Sequence, residues 1–320
     1  MELLADILFS YEVTVNLFIS SLLFALLSIA FFKSLFIVKN YNINASTSLQ
    51  YSLEKSSYLV ITIIYLSLII KLLLLPFFTY ILNSLADLIP GAMCGAGVIS
   101  ANSYGEPLMV LKIFIVILTM LWLTLNAEDL RSKNFVYFKS KMIFFWLIYL
   151  LSISETLLEI LFFINLSTVN PVSCCSTLYV NAQGSNPLPF NISTIELVIS
   201  FYTLSIFIIT AAYFRQKYIL ALLAIVYTYI SHLSIVYYFS TYVYQLPTHK
   251  CPYCLLQSDY YYIGYFIYAS LIIATFYALS SALFSFDTKA LRKSIIFYTL
   301  FLFLVSINFI LYLIINRTFL

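Results

Sequence analysis

The chain has 320 residues, of which 63% are hydrophobic and only 9% are charged, and its net charge is +3. An average soluble domain carries about 25% charged residues, so this composition excludes a soluble globular protein. The small positive charge follows from membrane topology, as argued below, and no nucleic-acid partner is predicted.

Eight apolar stretches are long enough to cross a membrane, which takes about 20 residues. We place them at about 13–32, 57–82, 107–126, 142–165, 195–213, 218–238, 262–285 and 295–315. Each is expected to be a helix, since a helix satisfies its own backbone in lipid, and no segment alternates as barrel strands do. The sequence therefore predicts an all-α, polytopic membrane bundle of about eight helices, with residues 1–320 forming a single domain.

The basic residues decide the orientation of this bundle. The loops on one side hold twelve of them, and the other side holds only Lys250 and Arg317. The twelve are Lys33, Lys39, Lys55, Arg131, Lys133, Lys139, Lys141, Arg215, Lys217, Lys289, Arg292 and Lys293. The positive-inside rule then places both termini, and the loops at about 83–106, 166–194 and 239–261, outside the cell membrane.

Those three outer loops contain all five cysteines of the chain, which are Cys94, Cys174, Cys175, Cys251 and Cys254. The space outside a bacterial or archaeal cell is oxidising, and disulfides persist there. A disulfide between adjacent cysteines is strained, so Cys174 and Cys175 are each expected to have a different partner. A bridge from one of them to Cys94 would leave one thiol to exchange with Cys251, and the odd cysteine number also allows attachment to another protein.

The segment Cys251-Pro252-Tyr253-Cys254 has the CxxC spacing, which suits reversible thiol–disulfide exchange. We expect Cys251 to cap the seventh helix, with Pro252 at its first position. The helix dipole, Lys250 and His249 would then favour a thiolate, which would make Cys251 the exposed, reactive thiol. Cys254 would lie one turn deeper, near a membrane quinone.

Two other interpretations of the CxxC segment stay open. A structural disulfide is one, although CxxC closes too small a loop to hold much chain together. A soft-metal site is the other, because Cys251, Cys254, Cys174, Cys175 and His249 would offer four thiolates and an imidazole to Cu(I) or Zn(II). No second CxxC, Met-rich cluster or His repeat supports metal handling, so copper or zinc is the alternative and no metal is the main expectation.

This arrangement resembles the vitamin K epoxide reductase and DsbB group of membrane disulfide-generating oxidases. The resemblance covers Cys251-Pro252-Tyr253-Cys254 and, by role, Cys94, Cys174 and Cys175. It implies that the CxxC pair lies beside a quinone and that the loop cysteines pass oxidising power to a thioredoxin-fold partner. That group has a four-helix core, whereas the present sequence predicts eight helices. The spacing and order of the loop cysteines also differ between that group and this chain.

Four ionisable residues, Lys71, Lys112, Glu155 and Glu159, lie within predicted spans, where a charge is expensive and is functional by default. Counting 1.5 Å per residue from the outer helix ends gives matching depths for Lys71 with Glu155 and for Lys112 with Glu159. We therefore predict these two ion pairs. They would either neutralise buried charge and set the helix register, or form a proton path toward the redox site.

His232 lies in the outer half of the sixth span, where it would hydrogen-bond a quinone or a neighbouring helix. The sequence thus favours a thiol–disulfide oxidoreductase that passes electrons between an extracytoplasmic thiol protein and a membrane quinone. Two non-enzyme alternatives remain. One is a copper or zinc carrier or permease, and the other is a non-catalytic membrane subunit of a larger respiratory complex.

Overall fold

The protein is all-helical in a computed structural model, which describes residues 7–8, 10–41, 47–132, 136–173, 188–284 and 289–320. Within these ranges there are eight long helices and no strand. The helices are α1 (Tyr11–Asn40), α2 (Ser48–Leu85), α3 (Gly105–Arg131), α4 (Phe138–Ile164), α5 (Thr194–Tyr213), α6 (Lys217–Ser234), α7 (Ile263–Leu283) and α8 (Ala290–Asn316). All eight are long and apolar enough to span a membrane, and the predicted helical spans are confirmed. The outward location of both termini stays a prediction.

Several helices extend beyond the apolar stretches that predicted them. α2 begins at Ser48, nine residues before its predicted span, because its polar first turns are helical as well. α6 continues through a π-helical segment, Ile235–Phe239, and a last α-helical turn to Tyr244. Hydropathy detects the part of a helix that suits lipid, whereas backbone hydrogen bonding continues past it.

The chain divides into two compact units. Unit 1 comprises Met1–Ile81 and Asn102–Thr168, and unit 2 comprises Leu82–Ala101 and Val169–Leu320. Unit 1 has a core of large buried side chains that includes Trp122. The core of unit 2 includes cysteines as well as aromatic and aliphatic side chains. The single domain stays a prediction.

One of the twelve basic residues that the sequence assigns to the inner side is buried in unit 1. Lys141 lies in the first turn of α4, with its Nζ 2.6 Å from Asp129 Oδ2 and 3.1 Å from Asn126 Oδ1. Both charged side chains are fully buried, and Trp122 donates a hydrogen bond to the Lys141 carbonyl. Lys141 was counted among the loop charges, but it pairs inside the helical core. Lys133, another of the twelve, lies outside the described residues.

Candidate functional site

Three cysteines meet in the core of unit 2. The Sγ atoms of Cys94, Cys251 and Cys254 all lie within 4.8 Å of one another, and those of Cys94 and Cys251 are 3.3 Å apart. The residues are 0%, 0% and 3% exposed, respectively. No disulfide joins these three described cysteines. The arrangement is therefore a compact, buried group of three thiols that we call the cysteine cluster.

An imidazole adjoins the cysteine cluster. His249 Nε2 lies 3.3 Å from Cys254 Sγ. The ring of Tyr244 packs against that of His249, with 4.3 Å between the centroids. The Tyr244 hydroxyl donates a hydrogen bond to the Cys251 carbonyl. Tyr244 thus holds both the histidine and the backbone of one cysteine in place.

The loop after α2 positions Cys94. Cys94 directly precedes a short helix, Gly95–Ile99, whose first amide donates a 2.8 Å hydrogen bond to Asn83 Oδ1. A Cβ at Gly95 would lie 3.1 Å from the ring of Tyr253, so a glycine allows the two cysteine loops to pack closely. The hydrogen bond to Asn83 and the packing of Tyr253 on Gly95 therefore place Cys94 beside the CxxC segment.

The loop before α7 positions the other two thiols. Cys254 begins a short 3₁₀ turn, Cys254–Leu256, which packs on the first turn of α7. A Cβ at Gly264 would come within 2.8–2.9 Å of Leu255, so only a residue without a side chain fits there. Gln257 Nε2 also donates a 3.3 Å hydrogen bond to the Met93 carbonyl. The two cysteine loops are thereby joined by direct contacts beside the sulfurs.

The predicted role of Cys251 as an exposed helix cap is wrong. α7 begins at Ile263, twelve residues after Cys251, and Pro252 lies in a turn. Two 3₁₀ turns intervene, and Tyr261 and Tyr262, both with positive φ, separate them from the helix. Cys251 is also fully buried. A helix dipole therefore gives no reason for a reactive thiol at this position.

Cys174 and Cys175 lie outside the described residues. Their expected pairing, their part in a relay and their contact with an extracytoplasmic thiol protein stay predictions. Among the described residues, Cys94 lies against Cys251. The sequence did not indicate this contact, because the two residues are 157 positions apart.

His232 belongs to α6 and to neither of the two cysteine loops. It is in the last turn of α6, is exposed at the surface of unit 2, and has its ring centroid 6.2 Å from that of Tyr268. Among the described residues, the imidazole that contacts a cysteine is His249. The quinone role of His232 stays a prediction.

The intramembrane charges form one network within unit 1. Lys71 Nζ lies 2.6 Å from Glu155, and Lys112 Nζ lies 3.0 Å from Glu159, so both expected contacts are formed. A third contact, 2.9 Å between Lys112 Nζ and Glu155 Oε1, links the two pairs. Asn16, which sequence reasoning missed, donates a hydrogen bond to Glu159. Asn16 is a single uncharged polar residue within an apolar stretch, so its sequence context offers no reason to single it out.

The network is electrically balanced, with two ammonium and two carboxylate groups. A cavity of about 10 Å³ lies beside Lys71, Lys112 and Glu155, which is room for about one water molecule. Balanced charges with short contacts are what we expect of residues that neutralise buried charge and set the helix register. Whether these residues also carry protons stays a prediction.

The cysteine cluster can be tested against the geometry of a soft-metal site. A tetrahedral zinc ion with zinc–sulfur distances of about 2.3 Å places sulfurs about 3.8 Å apart and a sulfur about 3.6 Å from a nitrogen. The 3.3 Å between Cys254 Sγ and His249 Nε2 is close to the second value. The Cys94 and Cys251 sulfurs, at 3.3 Å, would have to separate by about 0.5 Å. Three cysteines and a histidine are also a common structural zinc set, and the three sulfurs already lie within 4.8 Å of one another. His249 approaches Cys254 but is not within that distance of all three sulfurs, so its ring would have to move toward the other two to complete the set.

Comparison of the chain with models of known protein families, with curated proteins and with solved structures finds no match. The described structure defines a class, that of all-helical proteins with eight helices able to span a membrane. A more particular function must come from the geometry of the cysteine cluster and its histidine.

Proposed function

We propose that this protein holds a soft metal ion, Zn(II) or Cu(I), between two loops of unit 2. Cys94, Cys251 and Cys254 supply thiolates, and His249 supplies an imidazole nitrogen. The observation that carries the proposal is the convergence of three buried sulfurs within 4.8 Å beside that nitrogen. This is the alternative that the sequence left open, with Cys94 in place of Cys174 and Cys175 as a ligand.

Burial supports a metal in preference to an exposed thiol. A buried thiolate is costly unless a neighbouring positive charge compensates it. A divalent or monovalent soft cation supplies that charge and binds thiolate sulfur strongly. If the His249 ring moves toward the other two sulfurs, four protein donors complete a tetrahedral shell and leave no open position, which is typical of sites that hold a metal and do not catalyse a reaction on it.

The role of such a centre follows from what it joins. Cys94 belongs to the loop after α2, whereas His249, Cys251 and Cys254 belong to the loop before α7. A metal bound to all four would tie these loops together. Metal binding would then contribute directly to the stability of unit 2, because a site made of distant residues forms only in the folded chain.

The test is the metal content of the purified protein. The chain should be extracted from membranes in mild detergent under reducing conditions, and its zinc and copper measured by mass spectrometry. We expect about one metal per chain, lost in Cys254→Ser and in His249→Ala. The chain has only two histidines, so His232→Ala is the matched control and should keep its metal. A protein that carries no metal, or equal metal in the two histidine variants, would contradict the proposal.

A thiol–disulfide oxidoreductase linked to a membrane quinone is the second candidate. One observation favours it, namely the 3.3 Å between the Cys94 and Cys251 sulfurs. Under this proposal Cys254 exchanges with that pair, and Cys174 and Cys175, which lie outside the described residues, exchange with the external thiol protein. Alkylation of accessible thiols in native membranes, with and without added quinone, tests it. Catalytic turnover of quinone by the metal-free protein would support it, and an unchanged thiol state would oppose it.

A further inference from the structure

The four donors of the cysteine cluster and its histidine fall into two close pairs. Cys94 and Cys251 have sulfurs 3.3 Å apart, and Cys254 and His249 have donor atoms 3.3 Å apart. The first pair consists of two thiols and is able to form a covalent bond. The second pair, a thiol and an imidazole, is not. Oxidation would therefore join only the first pair, although all four side chains carry atoms that are able to bind a soft metal.

We propose that Cys94 and Cys251 form a reversible disulfide and that its formation empties the metal site. This inference rests on the proposed metal centre and concerns the regulation of that same site. The disulfide would link the two loops, and it is not the Cys251–Cys254 bond that the CxxC spacing predicts.

The geometry places the two sulfurs close to bonding distance. A disulfide has a sulfur–sulfur distance of about 2.0 Å, so the atoms must approach by about 1.3 Å. The loops that carry them are joined without help from a metal, through the Gln257 to Met93 hydrogen bond and the packing of Tyr253 on Gly95. The sulfurs therefore stay near each other when the metal is absent. A metal would hold them about 0.5 Å farther apart, so metal binding opposes the bond.

The chemistry balances with a two-electron oxidant, for which we name a membrane quinone. The Cys94 and Cys251 thiolates together lose two electrons and form one sulfur–sulfur bond. The quinone takes up those two electrons, together with two protons from the surrounding water, to become the quinol. A disulfide sulfur is a poor metal ligand because it lacks the thiolate charge. Of the donors in the described part of the chain, Cys254 and His249 then remain, too few for a structural site, and the metal ion leaves.

The thiol of Cys254 also provides a route by which the Cys94–Cys251 disulfide is reduced again. It lies within 4.8 Å of both other sulfurs and is able to attack the disulfide by thiol exchange. Attack on Cys251 would release the Cys94 thiolate and form the CxxC disulfide transiently. A dithiol that exchanges with that bond, and is itself oxidised to a disulfide, would supply the two electrons and two protons that restore all three thiols.

The experiment uses the wild-type protein, so no variant has to fold. The detergent-purified, reduced protein would first be assayed for metal, then mixed with a short-chain ubiquinone analogue. Released metal would be followed with a coloured chelator, and disulfides would be mapped by mass spectrometry after digestion. We expect about one metal ion released for each Cys94–Cys251 disulfide formed. Addition of dithiothreitol and metal should restore the starting content.

The outcomes separate this inference from the proposed function. If the reduced protein holds no metal, the metal centre itself is refuted, and the disulfide map still shows which sulfurs pair. If the reduced protein holds metal but quinone yields no disulfide, or yields Cys251–Cys254 as the stable product, only the present inference is overturned. Metal release without any new disulfide would overturn it as well.

Discussion

The charge network of unit 1 permits a prediction whose size follows from its contacts. Glu155 lies 2.6 Å from Lys71 Nζ and 2.9 Å from Lys112 Nζ. In Glu155→Gln, Lys112 keeps its contact with Glu159 at 3.0 Å. Lys71, by contrast, loses the one carboxylate with which it forms an ion pair in the described part of the chain. The substitution therefore leaves one buried ammonium without its counter-charge.

Removing one partner of a buried ion pair costs about 3–5 kcal/mol. Lys71 is 12% exposed, and a lysine is able to turn its ammonium toward a more polar region, so we expect the lower end, about 3 kcal/mol. That value is a change of about 100-fold in the unfolding equilibrium. Glu159→Gln should cost less, about 1–2 kcal/mol, because Lys112 keeps Glu155 and the new amide oxygen still accepts from Asn16.

The assay is equilibrium unfolding in mixed detergent micelles, followed by tryptophan fluorescence. Both tryptophans of the chain, Trp122 and Trp146, lie in unit 1, so the signal reports on the unit that contains the network. Leu157→Ala, on the exposed side of the same helix, is the control and should change stability by less than about 0.5 kcal/mol. In Lys71→Met/Glu155→Gln, most of the loss should be recovered, since neither charge is then unpaired.

Two results would refute this reasoning. One is a Glu155→Gln protein as stable as the wild type, and the other is a larger loss for Glu159→Gln than for Glu155→Gln. Normal stability combined with slower turnover of quinone would instead support the interpretation of these residues as a proton path.

Three further predictions concern other parts of the chain. Lys141→Met should destabilise unit 1 by about 3–5 kcal/mol in the same assay, because it leaves buried Asp129 without a counter-charge, and an unchanged midpoint would argue against that pair. Gly264→Ala should weaken metal binding in a chelator competition, since its Cβ would displace Leu255 and the adjoining thiol; equal affinity would show that the turn yields. Tyr244→Phe removes one hydrogen bond to the cysteine loop, so metal affinity should fall about 2–10-fold, with the fold unchanged by circular dichroism.

The eight helices were predictable because lipid imposes a simple rule on sequence. Each span must be apolar over about 20 residues and must satisfy its own backbone, and both conditions are local. The contacts of Lys71 with Glu155 and of Lys112 with Glu159 were predictable for a related reason. A helix rises about 1.5 Å per residue, so a residue number converts into a depth, and charges at one depth have few other partners. Asn16 escaped detection because a lone amide in an apolar helix carries no such signal.

The cysteine loops were less predictable. The expectation that Cys251 would begin α7 used the favourable position of proline in a first helical turn, but a proline equally suits an ordinary turn. Residues between the CxxC segment and Ile263 form two 3₁₀ turns that pack on the helix at Gly264. Such packing depends on what the loop contacts in three dimensions, and no periodic pattern records it.

The sequence by itself determined that this is an all-helical chain with eight spans, which residues bear charge within them, and which residue types are available as thiol and imidazole donors. Only the tertiary structure decided which donors meet. It brought Cys94 to Cys251 across 157 positions and placed His249, in preference to His232, beside Cys254. The physical reason is that helix formation is governed by neighbours along the chain, whereas a buried site is assembled by loops whose positions depend on the packing of the whole unit.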